Sequence, residues 1–197
     1  MTFNALLVAS ATILQITGYI SYNRGVANRT ITPNISSWLI WGTISLISCT
    51  SYISLSNQNI SVSIMPIVVT IIDIATFVSI LRRGTFQSIT HFDRGSLVLS
   101  LASLITWAFI DSAQAANILV QAALLIGTLP TIHGAYLNPS YESPAPWFLW
   151  SCGFLVATII VALQDIHWVA YLSPLLQLAM YLTIGTLALR ATKNATA

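Results

Sequence analysis

Seven apolar runs, at roughly 3 to 22, 37 to 56, 62 to 81, 95 to 111, 114 to 136, 146 to 165 and 168 to 189, take up nearly the whole chain. Each is long enough to cross about 30 Å of hydrocarbon as a helix. Charged residues make up 6% of the sequence and hydrophobic ones 56%, whereas a soluble domain carries roughly 25% charged residues to cover its surface. Backbone polar groups in lipid must be satisfied within the span, and the runs lack the alternation of barrel strands, so helices are the reading. The expected fold is an all-α integral membrane protein with seven transmembrane helices and almost no extramembrane domain.

The cations set an expected orientation. Arg24 and Arg29 fall between runs one and two, Arg82, Arg83 and Arg94 between three and four, and Arg190 and Lys193 after run seven. The opposite side carries Asp111 and Asp165. By the positive-inside rule the N-terminus is expected outside and the C-terminus in the cytoplasm, in a multi-pass protein of the inner or plasma membrane. The connection holding Glu142 is expected inside as well, although it has no cation. The first run is expected to be a span and not a cleaved leader, because its cations follow it. The net charge of +2 reports topology and gives no reason to expect nucleic-acid binding.

Other residue types are less informative. Cys49 and Cys152 fall inside runs and read as small packing residues. N-x-S/T sequons at Asn28, Asn34, Asn59 and Asn194 carry no weight, since only Asn59 would face outward. His91, His133 and His167 have no metal-ligand spacing, and no glycine-rich phosphate loop occurs, so neither a metal nor another cofactor is expected.

The stretch "SSWLIWGT" (36 to 43) recurs as "APWFLWSC" (145 to 152), so Trp38 and Trp41 are matched by Trp147 and Trp150 at an offset of 109. Pro66 is matched by Pro174, and Leu81-Arg82 by Leu189-Arg190, at an offset of 108. "LQITGY" (14 to 19) stands before the first copy where "LPTIHGAY" (129 to 136) stands before the second. These matches read as two three-helix repeats. A three-helix unit ends on the opposite side of the membrane, so one extra crossing is needed for the second copy to run parallel to the first. The expected plan is 3+1+3: a first repeat over 1–83, a connector and linker helix over 84–112, and a second repeat with a short tail over 113–197. Parallel repeats of this kind place a substrate site between the two halves of some transporters.

On these residues the chain resembles the PQ-loop repeat proteins, including the SWEET sugar transporters and their half-size bacterial relatives. The resemblance covers the layout of the whole chain. The signature Pro-Gln dipeptide appears as Leu14-Gln15 in one half and Pro130-Thr131 in the other, each keeping one of its two letters, and a polar connector leads to a Trp-containing helix in both. Where the sugar transporters place an asparagine on helices three and seven, this chain has Asp73 and Tyr181. The nicotinamide riboside transporters share the layout, but their tryptophan-rich substrate motif is not found here.

Asp73 is the one charged residue near the middle of a run. A carboxylate there costs about 2.5 to 3.5 kcal/mol on insertion scales, so such residues usually face a bundle interior and serve a pathway. The competing reading is a protonated Asp73 that only bonds a neighbouring helix. Pro66, Thr70, Asp73 and Phe77 share one helical face, and Pro174, Gln177 and Tyr181 form the corresponding face. Asp73, Tyr181, Thr70, Gln177, Trp41 and Trp150 are therefore the candidate substrate-binding residues. Asp73 and His133 are candidates for proton coupling, although His133 reads equally as a bridge between helices. Pro66, Pro130 and Pro174 are candidate hinges, since each would remove a backbone hydrogen bond within a helix. Gln15, Asn117 and Gln121 add polar groups inside spans, and Trp38, at a helix mouth, reads as an interfacial belt residue.

These features favour a small secondary transporter moving a small polar solute, such as a sugar or an amino acid, by alternating access, and not an enzyme. A vitamin or nucleoside carrier and a seven-helix ligand sensor are the rivals. A retinal protein is excluded, because the only lysine is Lys193 in the tail. The expected partners are a small-molecule substrate and membrane lipid, with no nucleic acid, and a homo-oligomer stays open.

Overall fold

A computed structural model gives the fold and describes residues 3–55, 60–83, 85–109, 113–163 and 168–194. They form seven α-helices: α1 (Phe3–Ala27), α2 (Ile35–Leu55), α3 (Ile60–Arg83), α4 (His91–Trp107), α5 (Ala113–Leu137), α6 (Pro144–Ala162) and α7 (Leu172–Asn194). Short 3-10 turns cover Pro139–Tyr141 and Trp168–Tyr171, and no strand occurs among the described residues. Four helical segments are long and apolar enough to cross a membrane: Phe3–Ala27, Asn117–Leu137, Pro144–Ala162 and Leu172–Ala191. Asn59, Asp111, Asp165 and His167 lie outside the described residues.

The exposed surface differs from that of a soluble domain. Leu6, Ile13, Ile71, Val98 and Ile105 turn outward, while Thr76, Ser100, Thr128 and Ser151 are buried. Apolar side chains exposed on this scale mark contact with something other than water, and with four spanning-length apolar helices they point to a membrane location.

The helices pack in two sets. α3 packs on both α1 and α2, and α7 packs on both α5 and α6. Between the sets, α1 packs on α6 and α2 on α5, while α4 packs on α5 and α2. Two glycines allow the close crossings. A Cβ on Gly18 would overlap the Trp150 ring of α6, and one on Gly127 would overlap Ile40 of α2.

Three connections meet at one end of the bundle. The Thr32 amide donates to Tyr141 O at 2.8 Å, Gln87 Nε2 donates to Thr32 O at 2.8 Å, and the Gln87 amide donates to Pro33 O at 3.0 Å. Asn34 caps α2, its Oδ1 accepting from the amides of Ser36 and Ser37, while its Nδ2 donates to Asp93 Oδ1 at 3.1 Å. Asp93 in turn closes a capping box with Thr90 at the start of α4. Arg24, Arg29, Arg82, Arg83 and Arg94 flank these connections, and Arg190 lies over the Tyr136 ring at the end of α5, 5.5 Å from its centroid. The described arginines thus share one end of the molecule.

Pro130 is inside α5 and buried, and Pro66 is the seventh residue of α3. Pro174, however, is the third residue of α7. There the backbone N–H groups have no intrahelical acceptor in any case, so Pro174 removes no helical bond and is not a hinge matched to Pro66.

Candidate functional site

A cavity of about 610 Å³ lies between the two helix sets, lined from α1, α2, α3, α5, α6 and α7. It reaches Val8, Ile160 and Ser173 toward the end opposite the arginines, and stops at the level of Tyr19, Trp38, Asp73 and Tyr181. Beyond that level Tyr22, Val26, Ile80, Trp147 and Ile184 fill the interior and expose nothing. The cavity therefore occupies one half of the bundle and ends against a packed plug.

Asp73 sits at its floor, 5% exposed. Tyr19 Oη donates to Asp73 Oδ1 at 2.5 Å, and the Ser45 hydroxyl donates to Oδ2. Thr70 Oγ1 donates to Ser45 O at 2.9 Å and so fixes α2 against α3 beside the carboxylate. One turn toward the arginine end, Asn23 Nδ2 donates to Thr76 Oγ1 at 2.8 Å. Tyr19 and Asn23 are four apart on α1 and meet Asp73 and Thr76, three apart on α3, so each helix presents one polar stripe to the other.

The plug is aromatic. Trp38 and Trp41 have centroids 5.1 Å apart at 79°, and Trp147 and Trp150 repeat that geometry at 5.1 Å and 79°. Trp41 meets Trp147 at 6.0 Å, and Tyr22 packs on Trp38, Trp147 and Trp150. The edge-to-face pairs among these add about 0.5 to 1.5 kcal/mol each beyond burial, and Tyr22 meets Trp38 and Trp150 at tilted angles of 46° and 34°. Every indole N–H of the four is engaged: Trp38 with Tyr22 Oη at 3.0 Å, Trp41 with Thr128 Oγ1 at 3.1 Å, Trp147 with Glu142 Oε2 at 3.0 Å, and Trp150 with Gln15 O at 3.2 Å.

The six candidate binding residues, Asp73, Tyr181, Thr70, Gln177, Trp41 and Trp150, all line this one cavity. Tyr181 packs between Trp147, Trp150 and Phe154, and Gln177 Nε2 donates to Ser173 Oγ at 3.0 Å. His133 does not line the cavity; its ring lies 4.9 Å from Phe92 of α4. Trp38 is not a belt residue, being 2% exposed with its N–H on Tyr22. The connections folded across the arginine end cover the helix mouth where it stands.

Sequence reasoning missed Tyr19, Ser45 and Glu142. Tyr19 and Asn23 at helical spacing were the available signal for the first. Glu142, in the connection between α5 and α6, is 4% exposed, and its Oε1 is buried without a hydrogen-bond partner. No candidate metal cluster occurs among the described residues. No protein-family model, curated protein or solved structure matches the chain.

Proposed function

We propose that the chain is a small secondary carrier of the PQ-loop and SWEET-like type, with seven spans in a 3+1+3 plan, moving a small polar solute by alternating access. The observation that carries this reading is the half-bundle cavity between two helix sets, with a carboxylate at its floor and an aromatic plug beyond. An outward-open carrier has that shape, and the positive-inside rule puts the arginine end in the cytoplasm.

The packing supports two related halves. In both sets the third helix lies between the first and second, and the contacts of α1 with α6 and of α2 with α5 exchange under a twofold. Gly18 and Trp41 are separated by 23 residues, as are Gly127 and Trp150. Trp150 donates to Gln15 O, whereas Trp41 donates to Thr128 Oγ1, which itself donates to Leu124 O. Gln15 and Leu124 again stand 109 apart. This register pairs Leu14-Gln15 with Ala123-Leu124 and not with Pro130-Thr131, so the two dipeptides do not hold equivalent places. The resemblance then rests on the tryptophans and the layout.

In this reading substrate binds between Asp73 and Tyr181 against Trp41 and Trp150, and a proton on Asp73 couples transport. Uptake by proteoliposomes under a pH gradient tests it, with Asp73→Asn beside the wild type. The expected result is loss of gradient-driven uptake in the variant; unchanged flux and unchanged pH response would remove Asp73 from the mechanism.

A further inference from the structure

We infer that the cargo is a small organic cation, an ammonium or ring cation whose charge is spread over carbon, and not a neutral polyol. The inference rests on the carrier reading for its transport role, but concerns what the cavity binds. Among the described residues of its lining the one acidic or basic side chain is Asp73, whose two oxygens stand within hydrogen-bond reach of the Tyr19 and Ser45 hydroxyls. Around it stand the rings of Trp41, Trp150, Tyr19 and Tyr181.

The donors of the rings on that lining are already used. The N–H groups of Trp41 and Trp150 are bound within the protein, the Tyr19 hydroxyl is on Asp73, and the Tyr181 hydroxyl is on Gln177 Oε1 at 3.4 Å. The tryptophans thus bring aromatic rings to the lining and no free N–H. Among the described residues a buried acceptor without a partner, Gln121 Oε1, also lies on this lining, which carries the side-chain amides of Gln15 and Gln177 as well. A neutral polyol gains nothing from the charge of a carboxylate set among aromatic rings, whereas a cation is drawn by both, an attraction that strengthens where water is excluded. Because Tyr19 and Ser45 already cap both carboxylate oxygens, Asp73 acts through its field more than through free lone pairs. That suits a bulky cation with few N–H groups.

Binding to the purified full chain in detergent, read by intrinsic tryptophan fluorescence and by thermal shift, tests this with four probes. They are tetramethylammonium, choline, N-methylpyridinium and 3,3-dimethylbutan-1-ol, the uncharged shape-match of choline. Choline is expected to bind at least tenfold more tightly than the alcohol. Asp73→Asn is expected to bring that ratio near one, and Asp73→Glu to keep most of it. Should Asp73→Asn fail to fold, the wild-type ratio alone decides. Equal binding of choline and the alcohol, tighter binding of glucose, or no saturable response to any of the three cations overturns the inference. Cation binding without flux in liposomes supports the inference while removing the carrier reading; flux of a neutral solute with no cation binding does the reverse.

Discussion

Glu142 has one carboxylate oxygen on the Trp147 N–H and the other buried without a partner. Burial pushes its carboxyl up to about 8, with the Trp147 bond pulling the other way. In the unfolded chain the same group titrates near 4.3, as model glutamates do. Between those values the folded chain holds a proton that the unfolded chain has released, so stability falls as pH rises through the window and is flat on either side. Melting temperature in detergent is expected to drop by several degrees between pH 5 and pH 8.5, and the drop should disappear in Glu142→Gln. The same slope in both proteins would assign the effect to another group. Asp73 was legible from sequence because a lone carboxylate inside an apolar run has few explanations. Its partners Tyr19 and Ser45 were not, because the rotation of α1 and α2 about their axes decides which of several hydroxyls meets it.

At the scale of the element, α1 ends in a Schellman motif. The Thr30 amide bonds Gly25 O at 2.9 Å and the Arg29 amide bonds Val26 O at 3.3 Å, with Arg29 at φ 60°. The residue in that left-handed position is one that only glycine adopts without steric cost. Arg29→Gly should therefore stabilise the chain by about 1 kcal/mol, seen as a small upward shift in melting temperature; a clear loss would mean that the arginine side chain holds the end in place. The helices themselves were legible to within a few residues, since apolar length sets where a helix can sit in lipid. Pro174 and Trp38 were misread for a shared reason. Position along a run does not reveal that α7 starts late, after a 3-10 turn, or that Gln87, Thr32 and Tyr141 knit a cover over the mouth of α2.

At the scale of the molecule, one half of the bundle is hollow and the other packed, although the two helix sets repeat each other's contacts. On the carrier reading proposed above, this arrangement is one member of a pair of states, the other having the plug parted and the cavity closed. Ala157 lines the open half and Ile184 lies in the plug, 0% exposed. In a background with Cys49 and Cys152 replaced by alanine, Ala157→Cys should react with a membrane-impermeant maleimide added on the side opposite the arginines, while Ile184→Cys should not. Where uptake is running, Ile184→Cys should become reactive from the arginine side and Ala157→Cys should slow in proportion, because the two openings exclude each other. Uptake that proceeds while Ile184→Cys stays unreactive from both faces would mean that solute crosses by a route other than parting these tryptophans.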